Sequence, residues 1–300
     1  YLKKGVPAAP TYYIIRRADT GVGLFSNYIV FAGHIRYALA HGYIPVSDMQ
    51  NYPNNYLPPE LLGKENAWEY YFEQPLRVNL DYAYRAENIL LGSGHPIGYP
   101  GDPSCFDYFN DKDGILTEWR MLVKLGLLKI KPQIQKEIDD TYNKLFSPAD
   151  RVLGVHLRGT DYTALKPYEH PIPPPLEFAL SHVVSKVQKW KCNKIFLATE
   201  DKNFVPAFKQ IFGDACVTIE KDFVNYDFNS TAYVSTFHSN RDNEFFLRGK
   251  EYLTEMAILA KCNSFIAAVT SGTIGVMMMA EKFEHQYFFN LGRYGVISLD

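Results

Sequence analysis

The chain has 300 residues, 47% of them hydrophobic, enough for one large or two ordinary globular domains with real cores, which excludes disorder as its ground state. A formal charge of −2, with acids and bases mixed along the length, gives no basic footprint for nucleic acid, and no run of about 18 apolar residues offers a membrane span. The four cysteines, Cys105, Cys192, Cys216 and Cys262, stand far apart and read as free thiols of a reducing compartment rather than as a disulfide framework.

The start of the chain carries Lys3 and Lys4 but no apolar stretch of signal-peptide length, so a frayed beginning is expected. A cytoplasmic location, with room for peripheral association with a membrane, follows from the thiols and the missing span; a leader lost upstream of Tyr1 is left open.

Residues 12–15 predict a first strand, and a polar turn through Asp19, Gly21 and Gly23 leads into a helix over 26–41. Ser26 is the expected N-cap, Ile29, Val30, Gly33, Tyr37 and Ala40 recur at helical spacing, and Gly42 suits the left-handed residue after the last turn. A strand over 43–46 completes a βαβ unit. Two long loops follow, 48–59 rich in Asn, Pro and Tyr and 92–113 rich in Gly and Pro, and loops of that length suit an acceptor-binding surface with exposed aromatics. Helices are predicted over 116–128 and 132–146.

Ser147-Pro148-Ala149-Asp150 breaks the pattern, which places the expected domain boundary between residues 147 and 148, giving domains 1–147 and 148–300. Beyond it apolar strands (152–156, 194–198, 216–219, 264–269) alternate with helices (176–190, 204–212, 249–260, 273–281). That alternation implies right-handed parallel crossovers in a doubly wound α/β sheet, whose ligands bind at the carboxyl ends of the strands.

Three strand ends carry chemistry. The first runs Gly154-Val155-His156-Leu157-Arg158-Gly159-Thr160-Asp161, where Arg158 offers a permanent charge and paired donors matched to phosphate oxygens. The plain alternative is a structural Arg158–Asp161 turn with His156 as a hydrogen-bonded core histidine. The second ends in Thr199-Glu200-Asp201, whose carboxylates suit the ring or ribose of a nucleotide, or simply cap the next helix. The third is Thr270-Ser271-Gly272-Thr273 at a helix start, where orphan N–H groups and the positive helix end favour an anion and Gly272 permits close approach; a plain capped turn is the alternative. An arginine, acids and an anion cradle on one sheet edge are what a nucleotide diphosphate requires.

These residues, with Gly249-Lys250-Glu251 and Lys261-Cys262-Asn263 between the second and third strand ends, resemble the GDP-fucose-dependent fucosyltransferases, the superfamily of α1,2-, α1,6- and protein O-fucosyltransferases. The likeness covers the C-terminal half in order, and the His156-Leu157-Arg158 element is its most specific part. It implies an α/β fold of the GT-B type, two Rossmann-like domains with parallel sheets facing a central cleft, the N-terminal one on the acceptor side and the C-terminal one binding the nucleotide sugar. It implies GDP-fucose as donor substrate, a glycan as acceptor, inversion at the anomeric carbon, and neither metal nor cofactor.

On the same resemblance Arg158 holds the β-phosphate and assists departure of GDP, and Thr270, Ser271, Gly272 and Thr273 bind the phosphates. Glu200 or Asp201 faces the guanine or its ribose, His156 orients the site, and Asp161 supports the Arg158 loop or touches the donor. The turn at Gly21 and Gly23 resembles the loop brought against the donor from the other domain. The α1,6-type enzymes carry a second arginine where this chain has Gly159 and a glutamate where it has Lys166. The base is open among Glu169, His170 and Asp19, each in a polar loop.

Rival chemistries fit less well. Asp111-Lys112-Asp113 is a turn rather than a strand-end metal signature, no Cys or His pair has zinc spacing, and no Gly-x-Ser-x-Gly elbow occurs. A transferase of surface-polysaccharide assembly using another nucleotide sugar stays open, as does a catalytically silent nucleotide- or glycan-binding module.

Overall fold

The computed structural model describes residues 9–17, 19–96, 98–100, 114–223, 226–229 and 231–296. Lys3, Lys4, Cys105 and the Asp111-Lys112-Asp113 turn lie outside the described residues. Two parallel sheets organise the chain, one of three strands and one of five. Contacts divide it into two compact units, Tyr1–Thr20 with Ser26–Lys131, and Gly21–Phe25 with Pro132–Asp300.

In the first unit β1 (Thr11–Ile15) is the middle strand, flanked by β2 (Ile44–Ser47) and β3 (Asn88–Gly92), both parallel to it. Parallel neighbours require a crossover, which α1 (Leu24–Ala40) supplies between β1 and β2. The helix begins two residues before the expected cap. Ser26 lies inside its first turn, where both its carbonyl and its Oγ accept from Arg17 Nη1 at 3.0 and 2.9 Å. Tyr12 and Ile14 alternate onto a small apolar cluster with Val46, Leu80 and Ala83. Short helices α2 (Trp68–Tyr71) and α3 (Leu80–Tyr84) and the amphipathic α4 (Ile115–Lys124) complete the unit.

The loop after β2 is not the exposed aromatic surface expected from its composition: Tyr52 and Tyr56 are buried. Buried loop backbone needs partners, and side-chain amides provide them. Asn66 Oδ1 accepts from the Met49 and Trp68 amides, Asn54 Nδ2 donates to the Met49 carbonyl, and Asp48 Oδ1 accepts from the amides of Gln50 and Asn51.

The second unit holds α5 (Pro132–Leu145), β4 (Val152–Leu157), α6 (Asp161–Leu165), α7 (Leu176–Trp190), β5 (Lys194–Thr199), α8 (Phe204–Phe212), β6 (Cys216–Val217), α9 (Glu244–Lys261), β7 (Ser264–Ala268), α10 (Ser271–Met279) and β8 (His285–Phe289). Its five strands pair in parallel throughout, in the order β6-β5-β4-β7-β8. All six residues of β4 are buried, as a central strand covered on both faces must be. Leu153, Val155 and Leu157 join Ile195, Leu197, Phe208 and Ile266 in the core. Gly154 lets α9 close on the strand, since a Cβ there would stand 2.8 Å from Leu259 and 3.2 Å from Cys262 Sγ. Cys192, Cys216 and Cys262 are free and buried.

Strand β6 is shorter than expected, pairing β5 only through Cys216 and Val217, and α9 starts at Glu244 rather than near Gly249. Strand β8 has no counterpart among the sequence expectations. From β4 the chain runs outward through β5 and β6, then returns to lay β7 against the other side of β4. The order therefore reverses between β4 and β7, the place where open α/β sheets form a ligand crevice beyond their strand ends.

Candidate active site

Strand β4 delivers Arg158 to that reversal point. Its Nη2 donates to Asp161 Oδ1 at 2.6 Å, its Nε stands 3.4 Å from Glu200 Oε1, and its guanidinium lies over the Tyr162 ring at 4.1 Å from the centroid. Nε is buried without a hydrogen-bond partner, a donor whose desolvation costs roughly 1–3 kcal/mol until something accepts from it. Burial opposes the guanidinium charge, but Glu200 and Asp161 outweigh it and hold the pKa above its ordinary value. Arg158 thus stays a cation with its plane fixed by a ring and two carboxylates.

Asp161 is buried and engaged on both oxygens: Oδ1 also accepts from the Tyr162 amide at 3.0 Å and Oδ2 from the Val234 amide at 3.1 Å. Its geometry is that of a support for Arg158. Tyr162, which closes the same sequence motif but has no role assigned there, is in turn met edge-on by His170 at 5.1 Å between centroids.

At the end of β7, Thr270 is the N-cap of α10, its Oγ1 accepting from the Thr273 amide at 3.3 Å. Thr273 Oγ1 donates its single proton to the Ala268 carbonyl at 2.5 Å, so its contacts with Thr270 Oγ1 (3.2 Å) and His156 Nδ1 (3.1 Å) are accepted. That assigns the neutral Nδ1–H tautomer to His156. Burial, reinforced by Arg158 and Lys221, pushes the pKa of His156 down to about 3. The Thr270 and Thr273 hydroxyls are spent on internal bonds, which leaves the Ser271 hydroxyl and the Ser271 and Gly272 amides as first-turn donors of α10. Gly272 is also a packing necessity, since any side chain there would collide with the Tyr252 hydroxyl of α9.

Strand β5 contributes Glu200, whose Oε1 accepts from the Gly159 amide at 3.2 Å and Thr160 Oγ1 at 3.0 Å. Asp201 is buried, and its Oδ1 accepts from the Asn203 amide at 2.9 Å at the approach to α8. A Cβ at Gly159 would stand 2.5 Å from Phe204 and 2.7 Å from Asp201 Oδ2, so this turn has no room for a side chain. Beneath the strand end, Lys221 donates to the Thr199 carbonyl at 2.8 Å and pairs with Glu255 at 2.7 Å. Burial drives the Glu255 pKa up, against the pull of Lys221. Single-sequence reading passed over this pair, since a lone Lys and a lone helical Glu leave no local pattern.

The remaining candidates divide between the units. Glu169 is exposed in a left-handed turn at φ 62°, its amide donating to the Tyr294 carbonyl at 2.9 Å. His170 Nδ1 is 3.0 Å from the Tyr168 carbonyl. Gly21 groups with the second unit, its carbonyl accepting from Ser235 Oγ at 2.7 Å, and Gly23 has open space where a side chain would stand. Asp19 belongs to the first unit and pairs with Arg17 at 2.9 Å. In that unit Asn27 is fully buried with neither amide atom hydrogen-bonded, a residue the sequence reading did not single out. Among the described residues no group of three or more His, Cys, Asp or Glu is disposed to hold a metal ion, and no helix is long and apolar enough to cross a membrane.

No family profile and no curated protein matches the sequence. Solved structures do. NodZ α-1,6-fucosyltransferase soaked with GDP-fucose aligns with 96% of this chain and 98% of its own, at TM-score 0.55 and 18% identity. Fucosyltransferase NodZ from Bradyrhizobium aligns over 90% and 93%, at TM-score 0.52 and 17% identity. An Arabidopsis thaliana FUT1 variant in complex with GDP covers 92% of this chain and 69% of its own, at TM-score 0.50 and 11% identity. With its two parallel sheets and helical crossovers, the chain has the α/β fold of these GT-B fucosyltransferases.

Proposed function

We propose that this chain is an inverting, metal-independent transferase that moves L-fucose from GDP-fucose to a glycan hydroxyl. The observation that carries the reading is a permanently charged guanidinium at the end of β4 next to the strand whose end starts α10, across the reversal of strand order. Two phosphoryl groups suit that pair: the guanidinium presents fixed donors and the helix start presents amide N–H groups with a positive dipole end. The named ligands of the structural neighbours, GDP-fucose and GDP, are of this class.

As the bond from the sugar to the diphosphate breaks, negative charge grows on the leaving oxygen. Arg158 and the Ser271 and Gly272 amides are the groups that take up that charge, a stabilisation that is largest when the donors are already in place. Asp161, bonded on both oxygens, keeps the guanidinium oriented, and His156 locks the α10 start to β4 through Thr273. Of the candidate bases on the second unit, Glu169 offers an exposed carboxylate, and we assign it removal of the acceptor hydroxyl proton during in-line attack. Glu200 and Asp201 are assigned to the nucleotide side of the site.

Thermal unfolding with nucleotides in EDTA tests this. A ligand that binds only the native state at about a hundred times its Kd adds about 2.7 kcal/mol, a rise of roughly 4 °C if a chain of this size unfolds as one unit. GDP is expected to give that rise, with UDP, ADP and CMP giving less, and Arg158→Lys is expected to keep the fold and lose most of the GDP response because a point charge lacks the planar fork. Better protection by another nucleotide replaces the donor; protection that needs a divalent cation removes the metal-free mechanism.

A further inference from the structure

Arg158 faces two carboxylates, and they are not equivalent. Asp161 meets Nη2 at 2.6 Å and is held on its other oxygen by the Val234 amide. Glu200 reaches Nε only at 3.4 Å, without making a hydrogen bond, and its side chain is 18% exposed against 2% for Asp161. One guanidinium facing two carboxylates is over-compensated, which opposes a diphosphate there, and the nearby cation Lys221 is itself paired with Glu255. Either the ligand is repelled, or one carboxylate gives way.

We propose that Glu200 is a displaceable counter-ion, standing against Arg158 Nε where a phosphoryl oxygen stands once a nucleoside diphosphate binds. The inference rests on the diphosphate reading of the site and gives Glu200 a positioning role through Arg158 instead of a contact with the nucleoside. The orphaned Nε–H is the donor the ligand completes. The same Oε1 also accepts from the Gly159 amide and the Thr160 hydroxyl, so Glu200 must turn its carboxylate and re-form those two bonds as it yields Nε; they need an acceptor oxygen but no charge. Asp161 stays with Nη2 throughout.

The sign of one substitution separates the roles. Glu200→Gln retains an oxygen for both donors and removes the charge. Titration calorimetry on the full chain with GDP and with guanosine is expected to show GDP binding about tenfold tighter in the variant, the effect of removing one like charge near the phosphates, with guanosine binding unchanged. Glu200→Asp, which draws the carboxylate back by one methylene, should move GDP affinity in the same direction by less, and it serves if the Gln variant does not fold. Weaker binding of both ligands overturns the proposal and makes Glu200 a nucleoside ligand; unchanged GDP affinity overturns it as well. A well-folded wild type that binds no GDP overturns the diphosphate reading itself, and the counter-ion role with it.

Discussion

At Gly159 the chain passes so close to Phe204 and Asp201 that a single methyl group would overlap both, while the glycine amide donates to Glu200. Gly159→Ala is expected to destabilise by about 1–3 kcal/mol through overpacking, and to weaken GDP binding because the Arg158 loop must shift. Equilibrium denaturation and calorimetry check the two halves. The same crowding explains why no second arginine follows Arg158: the space a side chain would use is filled by α8. His156-Leu157-Arg158 was legible in the sequence because an apolar strand ending in charge is a local pattern. Tyr162, Lys221 and Glu255 were not, since each acquires meaning only from a partner met through folding.

The elements follow from patterns the sequence displays, with ends set by neighbours. Thr270 caps α10 and closes a chain of bonds from the Ala268 carbonyl through Thr273 to His156. Thr270→Ala removes that cap and is expected to lower stability by about 1 kcal/mol, seen as a lower Tm. Ser271→Ala removes no bond within the cap, so Tm should hold while GDP affinity falls. That contrast would divide a structural hydroxyl from one that serves the proposed ligand on adjacent residues. Helix α9 starts earlier than its composition suggested because Arg241 gathers Glu244 and Glu251 at 2.6 Å each, extending the ordered chain ahead of Gly249. In α1 the expected cap, Ser26, lies inside the first turn and accepts from Arg17 instead.

Over the whole molecule, two buried histidines tie stability to pH. Burial pushes His34 down to about 4, only partly offset by its hydrogen bond to the Gly94 carbonyl, and His156 down to about 3. Both pKa values lie below that of an unfolded histidine, about 6.5, so the unfolded chain binds more protons. Stability is therefore full above about pH 6.5 and lost as pH falls toward 4 and 3, each histidine contributing a slope of roughly 1.4 kcal/mol per pH unit. Melting temperatures measured from pH 7 to 5 should fall more steeply for wild type than for His34→Gln, whose side chain cannot titrate.

By itself the sequence determined the alternation of apolar strands and helices, the parallel α/β class, and the three strand ends where charge and hydroxyls collect, because periodicity, turn residues and strand termini are local. Only the tertiary structure decided that β4 lies between β5 and β7, which makes Arg158, Glu200 and the α10 start neighbours although more than a hundred residues separate the first from the last. It also decided that the Thr270 and Thr273 hydroxyls make internal bonds, that Asp161 is spent on Arg158, and that Glu200 stands 3.4 Å from Arg158 Nε. Strand order and hydrogen-bond partners are long-range choices made by packing, and no window of neighbouring residues contains them.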